Sequence, residues 1–303
     1  MLLQLRNNLD SGDGACPGGL LDGLGTLGKT TILNQLGKRF EQEFNSTFPA
    51  EDPGQQHLVI PVAIVTMTSA ATPKDLSLSL ARFYDVPLPK NTTSITNSDI
   101  TAAVIEAADF HHTQLIMVDE AHFIKVKTDA GELANTHFKA LMNATGATFV
   151  FAGIDCKGIG LLGEGLDDKR KSHIGGRLIY KAIAPMTRDS PVWTGVLRDL
   201  ESNLVLGDFP AGRFTEQLSD YLYMRTSGSI GSLMNLIRKA ARVAVETSTE
   251  TIDEELLQGI DIDHNAELRR TDRKTTKTVP RGQQPGTVEA GGARSGKKKA
   301  ASR

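Results

Sequence analysis

The pattern of apolar and polar positions predicts alternating strands and helices over the first 186 residues. Continuous apolar runs predict buried strands at 58–65, 115–118, 147–152 and 178–183. Apolar residues three or four positions apart predict helices at 30–44, 72–83, 98–108 and 130–142. Because strands that alternate with helices form parallel sheets with helices on both faces, residues 20–186 are predicted to be an α/β domain.

The pattern changes after Pro185, where only helical periodicity continues. Helices are predicted at 191–200, 215–224, 230–245 and 252–257. Thr251 and Glu254 have the spacing of a capping box for the last of these helices. Residues 187–265 are therefore predicted to form a small helical lid.

The two ends of the chain lack such periodicity. Residues 1–19 are punctuated by Gly and Pro, and we expect an irregular segment. Only Leu20 and Leu21 precede Asp22, so either the first strand is very short or the true start of the protein lies upstream.

Residues 266–303 are predicted to be a disordered basic tail, because they are rich in Gly, Pro, Thr and Ser. From residue 268 onward there are 11 Lys and Arg against two acidic residues, whereas the whole chain has a net charge of −2. Such a tail can be an electrostatic arm for nucleic acid, a solubilising end, or a segment that folds back on the acidic body.

Composition excludes several classes of protein. The only two cysteines, Cys16 and Cys156, are far apart, which favours a reduced cytoplasmic protein over a disulfide scaffold. No metal-ligand spacing of His and Cys occurs, and the apolar run at the start is too short for a signal peptide. The longest apolar stretch, 58–65, contains Pro61 and cannot span a bilayer, so no membrane partner is expected.

The first candidate for chemistry is the segment 23–30, which fits G-x-x-x-x-G-K-[ST], the phosphate-binding loop of NTPases. In such loops glycines let backbone N–H groups approach phosphate oxygens, and a following helix adds the positive end of its dipole. Lys29 would reach the β- and γ-phosphates, and the Thr30 hydroxyl would ligate Mg²⁺. The alternative is a glycine-rich turn without phosphate. The predicted nucleotide-binding residues are Gly23, Gly25, Thr26, Leu27, Gly28, Lys29, Thr30 and Thr31.

A second motif, 114–122, supports the first. Its apolar run ends in two adjacent carboxylates, at the end of a strand where α/β folds place ligand chemistry. Asp119 would hold Mg²⁺, as a Walker-B aspartate does, and Glu120 would polarise water for attack on the γ-phosphate. An ordinary buried strand followed by an acidic helix cap is the alternative. The letters Asp-Glu-Ala-His also spell a helicase box, but no second helicase core follows, so we treat that match as coincidence.

Over residues 20–260 the sequence resembles TniB/TnsC-type AAA+ proteins, the ATP-dependent regulators of DDE transposons. The nucleotide motifs define only the superfamily, whereas the strand with "IPV" and the lid pattern are more particular. The segments that carry the resemblance are the phosphate loop, "IPV", "ARFYDVPLP", "LIMVDEAHF", "FVFAGID" and "TSGSIGSLMNLIRKAARVAV".

The resemblance implies an ATP- and Mg²⁺-dependent homo-oligomer on double-stranded DNA that selects a target site and recruits a DDE transposase, with a TniQ-like protein as a further partner. It also implies an arginine supplied by a neighbouring subunit that stabilises transition-state charge. Arg177, just before the fifth predicted strand, is the first candidate and Arg170 the second. The alternative for Arg177 is an ordinary surface arginine.

Two departures from the family pattern predict slow hydrolysis. After the strand 149–152 only Asp155 is polar, and it is a poor sensor. The start of the lid helix, 228–231, has no sensor arginine, so fewer groups would stabilise developing charge. Other functions stay open: a helicase loader or replication factor, a signalling NTPase without a DNA role, and a degenerate nucleotide-binding scaffold.

Overall fold

A computed structural model describes residues 1–10, 16–48, 58–89, 95–124, 129–158, 177–268 and 270. Arg170 and the basic tail beyond residue 270 lie outside these residues. In the part of the chain that is described, no helix is both long enough and apolar enough to cross a membrane.

Five parallel strands form one sheet in the order β2-β3-β4-β1-β5. Every residue of β1, β3 and β4 is buried, and for β3 and β4 the continuous apolar runs predict this burial. The strands are β1 (Gly18–Asp22), β2 (Val62–Thr66), β3 (Leu115–Asp119), β4 (Thr148–Gly153) and β5 (Leu178–Ala182).

The second strand is shorter at its start than the sequence predicts, because residues 58–61 lie outside it. Pro61 has no N–H to donate to a ladder, and its carbonyl accepts hydrogen bonds from the backbone of Gln114 and Leu115. The strand begins at Val62, and β2 lies at the edge of the sheet, where a preceding proline is tolerated.

Helices cover both faces of the sheet, which confirms the predicted α/β layers. On one face, Leu5, Leu33 and Phe40 pack against side chains of β1, β3 and β4. The other face has a larger core that includes Leu80, Val104 and Phe151. The first face carries α1 (Leu2–Asp10) and α2 (Lys29–Thr47), and the second carries α3 (Pro73–Phe83), α4 (Asn97–Phe110) and α5 (Asp129–Thr145).

Local capping explains where two of these helices begin. The Thr72 side chain accepts from the Asp75 N–H, the Asp75 side chain accepts from the Thr72 N–H, and Pro73 occupies the first turn. Thr96 and Asp99 make the same capping box for α4, which begins at Asn97, one residue before the predicted start.

The N-terminal segment differs from its prediction. Residues 2–10 form α1 instead of an irregular segment, because Leu5 is buried against the sheet and Arg6 makes a two-bond ion pair with Glu43 of α2. The first strand is also longer than the apolar pair Leu20–Leu21 indicates, since it includes Gly18 and Gly19.

The region after Ile183 is helical, as predicted, and has a core of its own around Trp193, Phe214 and Leu233. The predicted capping box at Thr251 is wrong, because the Asp253 side chain accepts from the Leu256 N–H and begins the last named helix two residues later. The helices are α6 (Pro191–Asn203), α7 (Ser219–Thr226), α8 (Ile230–Glu246) and α9 (Glu254–Gln258), with a π-helical turn at Arg213–Gln217.

Candidate nucleotide-binding site

The glycine-rich loop lies between the C-terminal end of β1 and the N-terminus of α2, at the edge of the sheet where the parallel strands end. Gly28 precedes the helix with φ 81°, a left-handed conformation that favours glycine. Gly25, Thr26, Thr30 and Thr31 are exposed, whereas Leu27 is buried. The loop is therefore anchored by the buried Leu27 and exposes its backbone to solvent on either side of it.

The Lys29 side chain closes this loop. Its Nζ donates hydrogen bonds to the carbonyls of Gly23 and Leu24, both at 2.7 Å, although the residue is only 8% exposed. An ammonium group has three N–H donors, and these two bonds account for two of them. The buried positive charge therefore lies at the base of the loop, beside the N-terminus of α2.

Thr30 and Asp119 come together from opposite sides of the site. The Thr30 hydroxyl donates to Asp119 Oδ2 at 2.6 Å, although 89 residues separate them. Asp119 is 3% exposed and ends β3, which is separated from β1 by β4. The parallel sheet brings both carboxyl ends to one edge, as the sequence predicts.

This pair fits Mg²⁺ by its chemistry. Mg²⁺ prefers oxygen ligands and is usually held by one or two carboxylates together with phosphate oxygens and water. A hydroxyl and a carboxylate in contact supply that kind of donor set. Within the described residues, no group of three or more His, Cys, Asp or Glu forms a metal cage, so phosphate would have to complete the shell.

Glu120 follows in the left-handed region with φ 54°, and its N–H donates to Asp119 Oδ1 at 2.8 Å. This turn directs the chain away from the strand and leaves the Glu120 side chain 37% exposed. The Nδ1 atom of His122 lies 3.2 Å from Glu120 Oε2. The sequence motif contains His122, but its contact with Glu120 depends on a turn that spacing alone does not define.

The segment after β4 does not place a sensor side chain on the loop. The Asp155 carboxylate accepts from the Gly158 N–H at 3.1 Å and so closes its own turn. The neighbouring Cys156 is fully buried, and burial, followed by the nearby Asp22 charge, raises the pKa of its thiol to about 12.

Arg177 lies at the opposite end of β5 from the loop. Its carbonyl accepts from the Gly18 N–H at the start of β1, and its guanidinium donates to the Asn143 side chain. The five residues of β5 span about 16 Å at ~3.3 Å each, so Arg177 is remote from Lys29 of its own chain.

The lid, in contrast, contacts the loop directly. The Gly231 N–H donates to the Thr26 carbonyl at 2.8 Å, and the Ser229 hydroxyl donates to the same carbonyl at 3.1 Å. The two hydroxyls of Thr26 and Ser229 lie 3.0 Å apart. Sequence analysis missed Ser229 and Gly231, because it considered residues 228–231 only for the absence of a sensor arginine.

Comparison with known proteins agrees with this geometry. A family model described as an AAA domain matches residues 15–155. No curated protein matches the sequence.

Among solved structures the chain is similar to Orc1 of Aeropyrum pernix in complex with DNA, with 19% identity over 92% of this chain and 68% of that chain and a TM-score of 0.57. It is similar to Cdc6p of Pyrobaculum aerophilum, with 15% identity over 86% and 69% of the two chains and a TM-score of 0.57. It is also similar to PCH-2 of C. elegans, with 11% identity over 91% and 67% and a TM-score of 0.50.

At these identities the likeness defines the fold, which is that of an AAA+ P-loop NTPase with a helical C-terminal region. The predicted fold class is confirmed. The matching family model is general to AAA domains, so the finer resemblance to TniB/TnsC proteins stays a prediction.

Proposed function

We propose that this protein is an ATP-binding switch that hydrolyses ATP slowly at the loop 23–31 and acts on DNA as an oligomer. The observation that carries the nucleotide site is the contact of the Thr30 hydroxyl with Asp119 at 2.6 Å, beside the buried ammonium of Lys29. A glycine-rich turn without phosphate would not need this lysine, hydroxyl and carboxylate together.

Each residue has a separate task in this proposal. Lys29 holds the loop through Gly23 and Leu24 and donates its remaining N–H to a phosphate oxygen. Thr30 and Asp119 would hold Mg²⁺, which neutralises phosphate charge when it is bound. Glu120 accepts a proton from the attacking water, and His122 limits where the Glu120 carboxylate can lie.

Hydrolysis would also need a group from a second subunit. Arg177 lies at the far end of β5 from its own loop, so it could act only on a neighbour's nucleotide. This geometry supports Arg177 as the trans arginine of a homo-oligomer. Arg170, the second candidate, lies outside the described residues.

For the biological role we propose ATP-dependent DNA binding in transposition, with a DDE transposase and a TniQ-like protein as partners. The support is the sequence resemblance over residues 20–260 and the basic composition from residue 268 onward. A second candidate is a replication-type factor or helicase loader. It is favoured by the fold likeness to Orc1, which was solved in complex with DNA.

The first experiment tests the nucleotide site. Titration of a fluorescent ATP analogue with Mg²⁺ should show saturable binding that Lys29→Ala lowers at least tenfold, because a charge-assisted bond at a phosphate is lost. Lys38→Ala, on the exposed side of α2, is the matched control and should leave the affinity unchanged. Equal binding by wild type and Lys29→Ala would refute the proposed site.

The second experiment tests the DNA role by fluorescence anisotropy of a labelled duplex of random sequence. We expect binding with ATP but not with ADP, in both the full chain and a chain that ends after Arg270. Binding that ignores the nucleotide and disappears with the tail would refute the switch. A strand-transfer assay with a DDE transposase then separates the two roles, since a replication factor would not stimulate it.

A further inference from the structure

The lid is hydrogen-bonded to the phosphate loop at Thr26. Its carbonyl receives two hydrogen bonds from the lid, from the Gly231 N–H at 2.8 Å and from the Ser229 hydroxyl at 3.1 Å. Its hydroxyl lies 3.0 Å from that of Ser229. Thr26 has φ 64°, an uncommon conformation for a residue that is not glycine, so its backbone needs support from its surroundings.

The lid side of this contact is rigid. Ser229 is 5% exposed and caps α8, where its side chain accepts from the Ser232 N–H. The Ser232 hydroxyl in turn donates to Asp263 Oδ2 at 2.6 Å. Displacement of Ser229 would therefore disturb both the start of α8 and the segment that follows α9.

Gly231 shows why this lid has no arginine here. A Cβ at this position would lie 2.7 Å from the Thr26 carbonyl oxygen and 2.9 Å from the Thr26 Cβ. Real Cβ atoms do not approach backbone so closely, so any side chain at 231 would force the lid away from the loop. The contact and a side chain at this position exclude one another.

We propose that Ser229 and Gly231 are positioning residues for nucleotide binding, which hold Thr26 in the conformation that the phosphate loop needs. This inference rests on the proposed ATP site, and it assigns to the lid a role that uses backbone contacts instead of a charged side chain. The lid then strengthens ATP binding without touching the reacting phosphate. Because coupling is reciprocal, ATP must also hold the lid against the loop.

The test compares Ser229→Ala with Thr26→Val, which remove the hydroxyl from either side of the contact. Each should weaken binding of the fluorescent ATP analogue about three- to tenfold, the effect of one or two neutral hydrogen bonds. For Ser229→Ala the turnover rate at saturating ATP should stay within about twofold, since Ser229 belongs to the lid and is not among the nucleotide-binding residues. The double variant should bind as Ser229→Ala does, because Ser229→Ala already removes the contact between the two hydroxyls together with the bond to the Thr26 carbonyl.

Ser190→Ala is the matched control. Ser190 caps α6 in the same lid, accepting from the Trp193 N–H at 3.1 Å, so its loss weakens the lid without touching the loop. It should leave ATP affinity unchanged. Gly231→Ala gives a second and larger loss of affinity, since it separates lid and loop.

Hydrogen exchange gives an independent measurement on the wild-type protein. The Gly231 amide should exchange more slowly with ATP than without it, and Ser229→Ala should reduce that difference. Additive losses in the double variant, an equal loss in Ser190→Ala, or unchanged affinity in Ser229→Ala would overturn the positioning role while Lys29→Ala still supports the ATP site. Absence of ATP binding by the wild type would overturn both.

Discussion

Replacement of Arg225 by methionine should destabilise the lid strongly. Arg225 in α7 is 5% exposed, and its guanidinium donates to the carbonyls of Leu257 and Ile260, both at 2.6 Å. It also donates to the Tyr221 hydroxyl at 3.0 Å and to Glu267 Oε1 at 3.2 Å. One side chain thus holds the segment after α9 against α7.

The expected magnitude follows from the groups that lose their partner. The Ile260 carbonyl becomes a buried acceptor without its hydrogen bond, which costs about 1–3 kcal/mol. The Leu257 carbonyl keeps the Ile260 N–H at 3.3 Å and loses a charge-assisted bond that contributes about 1.5–3 kcal/mol. Glu267 is 26% exposed and keeps its bonds to Arg270 and the Ile262 N–H, so the loss of its bond to Arg225 adds little. We expect Arg225→Met to lower the free energy of unfolding of the lid by about 3–5 kcal/mol.

Urea unfolding followed by tryptophan fluorescence measures this change directly. Trp193 is the only tryptophan of the chain and is fully buried in the lid core, so its emission reports on this region. Arg242→Met is the matched control, since Arg242 is 80% exposed and paired only with Glu246 one turn away. Its loss should change stability by about 0.5 kcal/mol or less. A change below about 1 kcal/mol for Arg225→Met, or one equal to the control, would refute the reasoning.

The pH dependence of the same measurement gives an internal check. Burial alone would raise the pKa of Glu267, but the Ile262 N–H, Arg225 and Arg270 together outweigh burial and lower it. A carboxyl whose pKa is lower in the folded state contributes stability above its unfolded pKa of about 4.3, and this is lost as the pH falls through the folded pKa. Arg225→Met should therefore lose less stability than wild type on acidification below pH ~4.3.

Two further predictions concern the nucleotide site. Glu120→Gln should lower the ATP turnover rate at least a hundredfold and leave ATP affinity within about threefold, because the amide cannot accept the proton from water; unchanged turnover in a phosphate-release assay would point to the degenerate scaffold. The Cys156 thiol should resist a thiol-specific colorimetric reagent at pH 8 in the folded protein, since with a pKa of about 12 only about one molecule in ten thousand is a thiolate. Because the pKa is raised on folding, the thiol contributes stability that is fully present below its unfolded pKa of about 8.5 and is lost as the pH rises toward the folded value. Fast labelling that does not require unfolding would contradict the burial of Cys156.

The sequence predicted the sheet and the edge at which the candidate site lies, because both depend on local patterns that repeat along the chain. The continuous apolar run of β3 ends in Asp119, and parallel strands must bring this end to the same edge as the end of β1 at Asp22. Capping signals such as Thr72 with Pro73 also act within one turn of the helix that they begin.

What the sequence could not provide are contacts between distant segments. The helix α1 is stabilised by burial of Leu5 and by the pair of Arg6 with Glu43, and neither is visible in the segment itself. The contact of Ser229 with Thr26 joins residues 203 positions apart through a backbone carbonyl, a group that every residue has. No residue type or spacing distinguishes such an acceptor.

The position of β1 in the sheet has a consequence for how the protein is made. The strand that ends at the phosphate loop pairs on one side with β4, which ends at Gly153, and on the other with β5, which ends at Ala182. A ribosome adds about 5–20 residues per second, so β5 is completed roughly ten to thirty seconds after β1. Although the loop is translated long before β5, the strand that leads into it has both of its neighbours only after β5 is complete. A nascent chain that stops before residue 182 therefore carries the complete nucleotide motif but should not yet retain ATP.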